Sequence, residues 1–153
     1  MIIYIDADAC PVKNEIIKIA SRHKIKVFVV SNGGIRLNPN PLVETIIVET
    51  GLDVADKWIL SRLENSDIVV TYDIPLASDS IKLGAFVITP YGKELNPSNI
   101  GSTLATRNLM HEIRSANQFL ENKNTTFSKK NRSEFSNNLE KLIQKLKKNH
   151  INV

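Results

Sequence analysis

Short apolar stretches alternate with amphipathic stretches over the first ninety residues of this chain. The apolar stretches are strand-sized and contain β-branched residues, and they predict strands at Ile2–Asp6, Ile25–Val30, Val43–Val48, Asp67–Thr71 and Ala85–Thr89. Apolar residues at helical spacing predict helices between them, from Val12 to about His23, from Asp53 to Leu63 and over Ile74–Leu83. This alternation predicts an α/β fold, a three-layer α/β/α arrangement around a mostly parallel sheet of about five strands.

The C-terminal third has a helical pattern. After a turn at Pro90–Lys93, helices are predicted over about residues 99–120 and 131–148, joined by a polar loop. The second of these helices has its large apolar residues on one face, at Phe135, Leu139, Leu142, Ile143 and Leu146. The chain shows neither an internal repeat nor a second domain. We therefore expect one domain over residues 1–153, with a helical C-terminal segment from about 99 to 148.

Length and composition fit a globular protein and exclude several classes. The 153 residues are 42% hydrophobic and 24% charged, which suits one ordinary domain. The apolar runs are too short to cross a bilayer, and the N-terminus lacks the basic region of a signal peptide. The single cysteine, Cys10, excludes an intrachain disulfide and fits a reducing compartment. We expect a cytoplasmic protein with no membrane partner.

Charge is distributed unevenly along the chain. All seven aspartates lie within the first 79 residues, and residues 1–106 hold 10 basic against 12 acidic side chains. Residues 107–153 hold 10 basic against 4 acidic side chains. This asymmetry suits an enzyme that binds cations at its centre and polyanions at its rim, although a lysine-rich helix is as readily a solvated surface.

Aspartates follow the predicted strands at one edge of the sheet. Asp6 ends the first strand, Asp8 lies just after it, and Asp73 follows the fourth strand. Asp53 and Asp56 share one face of a helical turn that begins after the third strand. Ligands of such sheets bind at the carboxyl ends of the strands, so these four or five carboxylates are expected to converge.

Converging carboxylates favour a bound cation. Two like charges about 4 Å apart repel by about 4 kcal/mol at an effective dielectric constant of about 20. With no His or Cys clustered nearby, an all-oxygen site indicates Mg²⁺ or Mn²⁺ rather than zinc. Carboxylates that hold such ions are typical of phosphoryl chemistry, in which the ions activate water and stabilise the leaving oxygen.

Several of these residues have simpler interpretations. Asp53 is also a plausible helix N-cap, Asp67 is assigned to a turn at the start of its strand, and Asp79 caps or solvates the short helix. Cys10 precedes a proline at the start of a helix, but no histidine is arranged as its base, so we interpret it as a small buried thiol.

Substrate contacts are predicted at a few polar and basic positions. Asn32 follows the second strand and is expected to point into the acidic cleft as a hydrogen-bonding group. Arg107 and Arg114 lie seven residues apart on one helical face, and Arg132 follows in the basic segment. These arginines suit contacts to a phosphate backbone rather than readout of base sequence.

Three motifs resemble a known family. Asp6–Val12 (DADACPV), Gly51–Asp56 (GLDVAD) and Val70–Ala77 (VTYDIPLA) resemble the YaiI/YqxD family of bacterial proteins. The similarity continues through Lys82–Ala85, Asn99–Ile100, Leu104–Arg107 and Phe127–Phe135 and so spans nearly the whole chain. This chain departs from the expected pattern at Asn131, where an Asp is expected, and at Tyr91, where an Arg is expected.

That family looks like a relative of the PIN-domain nucleases, which are metal-dependent ribonucleases with clustered acids above a parallel sheet. The resemblance implies a PIN-like fold in which Asp6 and Asp73 match the acids after the strands and Asp56 matches the helical acid. Asp8 and Asp53 belong to the motifs of the narrower family. The implied catalytic residues are Asp6, Asp56 and Asp73, with Asp8 and Asp53 as further metal ligands or water-orienting groups.

Three functions remain open at this point. The leading hypothesis is a Mg²⁺- or Mn²⁺-dependent nuclease acting on RNA. The second is a haloacid-dehalogenase-type phosphatase, with Asp6 as covalent nucleophile and Asp8 as its acid/base partner, although Cys10 and the lack of a later lysine and acid pair fit it poorly. The third is a non-catalytic RNA-binding or regulatory module. A homodimer is compatible with each of them.

Overall fold

One six-stranded sheet organises the molecule. The computed structural model describes residues 1–7, 10–33, 36–51, 53–102 and 128–151. Its strands are β1 (Ile2–Asp6), β2 (Lys26–Ser31), β3 (Val43–Ile47), β4 (Ile68–Val70), β5 (Phe86–Ile88) and β6 (Glu94–Leu95). The helices bounded within these ranges are α1 (Lys13–Arg22), α2 (Val54–Arg62), α3 (Ile74–Lys82) and α4 (Lys129–Ile151).

The strand order is β3-β2-β1-β4-β5-β6, with parallel pairing from β3 to β5. The chain moves outward from β1 through β2 to β3 and then returns to place β4 on the other side of β1. The boundary between β1 and β4 is therefore the point where the strand order reverses, and such points form ligand clefts in α/β sheets. The prediction of a mostly parallel sheet is confirmed.

The sixth strand was not predicted from the sequence. β6 pairs antiparallel with β5, with Val87 opposite Leu95. Two residues are too few to show a strand period, and the strand exists because a tight turn folds the chain back on β5. In that turn the backbone N–H of Gly92 donates to the Thr89 carbonyl at 2.8 Å, and the N–H of Thr89 donates to the Lys93 carbonyl at 2.9 Å.

Alternation along the strands separates two apolar layers. Ile3 and Ile5 of β1 pack with α1 and α4 on one face of the sheet. Tyr4, which lies between them, packs with α2 and α3 on the opposite face. Because successive strand residues point to opposite faces, each buried strand supplies both layers. The result is the predicted three-layer α/β/α arrangement.

Helix α4 closes the first face with the predicted apolar residues. Phe135, Leu139, Leu142, Ile143 and Leu146 are all buried. The helix begins two residues before the predicted start because the Ser128 hydroxyl accepts a hydrogen bond from the Asn131 N–H at 3.1 Å.

Polar contacts fix α4 against α1 at both ends. Near its start, Arg132 donates to the Pro11 carbonyl at 2.8 Å and pairs with Glu15 at 3.1 Å. At the far end of α1, Glu140 from the middle of α4 accepts from the His23 ring at 2.7 Å. Burial opposes ionisation of Glu140, but the hydrogen bonds from His23 and Arg22 outweigh burial and lower its pKa. Helix α4 thus runs from the carboxyl edge of the sheet to the opposite edge.

The helix predicted over about residues 99–120 is helical at residues 100–102, and the rest of it lies outside the described residues. Within the described ranges, no helix combines the length and apolar character needed to cross a bilayer.

Asp67 has a structural role at the amino edge of the sheet, as its position in the sequence suggested. It is 3% exposed, and its two carboxylate oxygens accept the N–H groups of Ile2 at 3.0 Å and Glu64 at 2.9 Å. These bonds join the start of β1 to the segment before β4. Asp67 is therefore part of the scaffold, at the edge of the sheet opposite to the other acids.

The Asp67→Asn substitution is expected to lower the free energy of unfolding by about 1–3 kcal/mol, because an amide accepts only one of the two N–H groups and leaves the other unpaired. Urea unfolding followed by circular dichroism measures the change. Asp79→Asn is the matched control, since the Asp79 side chain is exposed and reaches Lys82 only at 3.9 Å. Equal stabilities of the two variants would contradict this role for Asp67.

Candidate metal centre

The site is built on the register of β1 and β4. Ile5 pairs with Val70, so the next residues, Asp6 and Thr71, lie level at the carboxyl ends of the two strands. Both point to the face that carries α2 and α3, because each lies two residues after a strand residue on that face. The buried Thr71 hydroxyl donates a hydrogen bond to Asp6 Oδ2 at 2.9 Å.

Thr71 also positions Asp73. The backbone N–H of Asp73 donates to the Thr71 hydroxyl oxygen at 2.9 Å, so one hydroxyl connects the two strand-end acids. Asp73 Oδ1 accepts the N–H of Leu76 at 3.1 Å and thereby caps the N-terminus of α3. Thr71 was not among the site residues predicted from the sequence. Its signal was a hydroxyl residue at the end of an apolar strand, two residues before an aspartate.

The third segment of the site is the start of α2. Asp53 precedes the helix with φ of +62°, and its side chain makes no capping hydrogen bond. Asp53 therefore occupies the predicted N-cap position, but its side chain does not make the hydrogen bond of a helix cap. A left-handed backbone is uncommon for a residue other than glycine, and such conformations are frequent at functional sites. Here that conformation directs an exposed carboxylate to the cluster.

The start of α2 and the segment after β4 bring their acids together. One carboxylate oxygen from each of Asp53, Asp56 and Asp73 lies within 4.8 Å of the other two. Asp56 shares a side-chain hydrogen bond with Asp73, and the charge of Asp6 also acts on it. Burial, followed by the charges of Asp73 and Asp6, raises the pKa of Asp56 to about 7. The cluster therefore holds a proton near neutral pH when no cation offsets its charge.

The donor set fits a hard divalent cation. The three donors that meet are carboxylates, which Mg²⁺ and Mn²⁺ prefer, and Asp6 lies outside this group of three but close enough for its charge to act on Asp56. Cys10 is buried, and burial raises its pKa to about 11, so it is neither a thiolate ligand nor an activated nucleophile. The His23 ring contacts Glu140 and Lys147 at the far end of α1. The interpretation of Cys10 as a small buried thiol is confirmed.

Of the predicted substrate-binding residues, the structure describes Asn32 and Arg132. Asn32 is exposed and directly follows β2 at the same edge of the sheet. Arg132 binds the Pro11 carbonyl and Glu15 and so has a structural role. Asp8, Arg107 and Arg114 fall outside the described residues. The predicted substrate contacts of Asn32 and these arginines, and the ligand role of Asp8, stay predictions.

The raised pKa of Asp56 predicts a stability that depends on pH. An acid whose pKa rises from 3.8 to about 7 on folding stabilises the folded state at low pH, and this contribution is lost as the pH rises through 7. Asp56→Asn removes the charge and retains a donor toward Asp73. In EDTA at pH 8 we expect the free energy of unfolding of the variant to exceed that of the wild type by about 1–2 kcal/mol. This figure is reduced to account for solvent screening.

At pH 5, where the folded protein still holds the proton on Asp56, the advantage of Asp56→Asn is expected to shrink to less than about half. Thermal unfolding at the two pH values measures the difference, and Asp79→Asn serves as the control at an exposed acid. A destabilisation by Asp56→Asn of equal size at both pH values would contradict the electrostatic origin.

Comparison with known proteins places the chain in a family. Residues 4–145 match the model of the bacterial family described as "Uncharacterized BCR, YaiI/YqxD family". A UPF0178 protein of Roseobacter denitrificans is 50% identical over 94% of this chain and 95% of its own length. A UPF0178 protein of Cereibacter sphaeroides is 52% identical over 94% of this chain and 88% of its own length. No solved structure matches the chain. The chain therefore belongs to the YaiI/YqxD family.

Proposed function

We propose that this protein is a Mg²⁺- or Mn²⁺-dependent ribonuclease that hydrolyses phosphodiester bonds at the acidic cluster of Asp6, Asp53, Asp56 and Asp73. The observation that carries the proposal is the meeting of the Asp53, Asp56 and Asp73 carboxylates, with the charge of Asp6 acting on Asp56, at the point where the strand order reverses. Such an arrangement opposes folding through charge repulsion, and a hard cation relieves that repulsion.

The scaffold holds the acids in place without a ligand. Thr71 fixes Asp6, and the N-terminus of α3 fixes one oxygen of Asp73. Asp56 sits in the first turn of α2, where the partial positive charge of the helix favours a carboxylate. Preorganised ligands of this kind are expected at a catalytic site, because the ligands then need no rearrangement during the reaction.

We assign Asp6, Asp56 and Asp73 as the residues that hold the ion. When bound, the ion would supply Lewis-acid stabilisation of the charge that develops on the phosphoryl oxygens. Asp53 is the exposed acid of the cluster, and we assign it to orient the attacking water through its carboxylate. Thr71 is a positioning residue, since it acts through the Asp6 carboxylate.

A basic surface at the same edge of the sheet supports RNA as the substrate. The N-terminus of α4 lies beside the loop that follows β1, because Arg132 contacts the Pro11 carbonyl there. Lys129 and Lys130 are exposed on its first turn. A cavity of about 410 Å³ in this region is lined by Glu15, Lys129, Arg132, Ser133, Ser136 and Asn137. Exposed lysines at the same edge of the sheet as the acidic cluster suit the phosphate backbone of a polyanion.

The decisive test is cleavage of a labelled single-stranded RNA. We expect cleavage with Mg²⁺ or Mn²⁺, its loss in EDTA and its recovery when the metal is restored. Asp6→Asn is expected to lower the rate by about 100-fold or more, and Thr71→Val by about 10- to 100-fold, because the valine keeps the shape and removes the hydroxyl. Asp79→Asn should retain the full rate.

The same experiment separates the alternatives. RNA that binds tightly and stays intact with every divalent metal would contradict the nuclease and favour a binding module. Hydrolysis of an aryl phosphate, with a phosphoryl group trapped on Asp6, would contradict the nuclease and favour the phosphatase.

Metal binding is expected to raise the melting temperature. A ligand at about 100 times its dissociation constant stabilises the folded state by about 2.7 kcal/mol. We expect Mg²⁺ or Mn²⁺ to stabilise the wild type and Asp79→Asn equally, and Asp6→Asn and Asp73→Asn much less. Differential scanning fluorimetry across a metal titration measures this. Equal shifts in all four proteins would place the ion outside the acidic cluster.

A further inference from the structure

An aromatic pair lies at the carboxyl edge of the sheet, and one of its members directly precedes Asp73 in the chain. Tyr72 stands between Thr71 and Asp73, and it interacts electrostatically with Cys10, which belongs to the apolar layer of α1 and α4. Its ring meets the Tyr91 ring edge to face, with centroids 5.6 Å apart and an interplanar angle of 62°. The two side chains also share a hydrogen bond. The two tyrosines thus mark the carboxyl edge on the side opposite to the acids.

Tyr91 is exposed although its surroundings are rigid. It has 48% of its surface in solvent, and it is the aromatic residue among the large exposed apolar side chains of the described ranges, the others being Leu37, Ile47 and Leu83. A single exposed apolar side chain is ordinary, so exposure alone does not indicate a site. The location beside the acids and the fixed geometry distinguish Tyr91 from the others.

The turn that carries Tyr91 is locked against α4. Gly92 has φ of +89°, and a Cβ at this position would lie 3.2 Å from the backbone of Phe135. Asn138 donates from its side-chain amide to the Gly92 carbonyl at 2.9 Å, and Lys93 donates from its N–H to the Thr89 hydroxyl at 3.2 Å. These contacts fix the backbone on both sides of Tyr91, which lowers the entropy cost of binding a ligand on its ring.

Charge and shape along this edge suit a strand of nucleic acid. The turn of Tyr91 contacts α4, and the first turn of this helix carries the exposed Lys129 and Lys130. The acids lie on the other side of the same edge, one residue away along the chain from Tyr72 at Asp73. A nucleic-acid strand that crosses this edge would pass the lysines, the Tyr91 ring and the acidic cluster. Lysines combined with an exposed aromatic ring are the usual means of binding unpaired nucleotides.

We propose that Tyr91, supported by Tyr72, stacks on an unpaired nucleobase next to the acidic cluster, so that the protein selects single-stranded over duplex RNA. The inference rests on the proposed function for the identity of the strand, but it concerns binding and is measured without turnover. A duplex keeps its bases stacked on one another, so it offers no free base face to the ring.

The test measures binding of a fluorescent oligoribonucleotide of about twelve nucleotides by anisotropy, with Mg²⁺, in an Asp6→Asn background that prevents cleavage. Tyr91→Ala is expected to raise Kd by about 5- to 100-fold, and Tyr91→Phe by less than about two-fold, because phenylalanine keeps the ring. Leu83→Ala is the matched control, since Leu83 is 47% exposed at the far end of α3. Melting curves confirm that each variant is folded.

Three further arms identify the contact. Duplex RNA of the same sequence should bind equally to the proteins with and without the Tyr91→Ala substitution, and single-stranded DNA should show the same loss as RNA, because the base is the group contacted. In a series of RNAs that each carry one abasic nucleotide at a different position, one RNA should bind equally well to the proteins with and without the Tyr91→Ala substitution. Unchanged binding by Tyr91→Ala, equal losses in Tyr91→Ala and Tyr91→Phe, or an equal loss on the duplex would each overturn the proposal.

The outcomes also separate this proposal from the nuclease. Single-stranded RNA that binds through Tyr91 and is never cleaved would support the stacking contact and contradict the nuclease. Cleavage by the wild type with KM and Kd unaffected by Tyr91→Ala would support the nuclease and overturn the stacking contact.

Discussion

Repulsion among carboxylates at one edge of the sheet is the constraint on which the rest of the site depends. Oxygens of Asp53, Asp56 and Asp73 lie within 4.8 Å of one another, and Asp6 adds a fourth charge to their surroundings. A chain that only had to fold would separate them. Instead a threonine hydroxyl, a helix N-terminus and a left-handed residue hold them together. A proton held on Asp56 reduces this repulsion. Burial and the charges of Asp73 and Asp6 raise the pKa of Asp56 to about 7, so the proton is held up to neutral pH.

The two faces of the sheet contribute different chemical groups to this edge. Helices α2 and α3 begin at the carboxyl edge, so their first turns bring the acids and the positive ends of their dipoles to the same place. Helix α4 lies on the opposite face and begins at the same edge, where it brings lysines and fixes the turn of Tyr91. One edge therefore combines negative charge on one side with positive charge and an aromatic ring on the other.

The aspartates differ in role because they differ in surroundings, although they are one residue type. Asp67 is buried, and both of its carboxylate oxygens accept hydrogen bonds from backbone N–H groups, so this side chain serves the scaffold. Asp79 is exposed and reaches Lys82 only weakly. Asp6 and Asp73 each accept a hydrogen bond from the scaffold, but their neighbours are other acids. Proximity to other acids is what distinguishes these candidate ligands from the structural acid Asp67.

The sequence by itself determined the strands β1 to β5, the parallel sheet, the buried face of α4 and the edge where the acids meet. These follow from local periodicity and from the rule that parallel strands end at one edge. Only the tertiary structure decided that Thr71 joins Asp6 to Asp73, that the side chain of Asp53 makes no capping hydrogen bond, that Arg132 binds Pro11, and that β6 forms. Each of these depends on residues that are distant in sequence or on one backbone angle, and neither leaves a periodic signal in the chain.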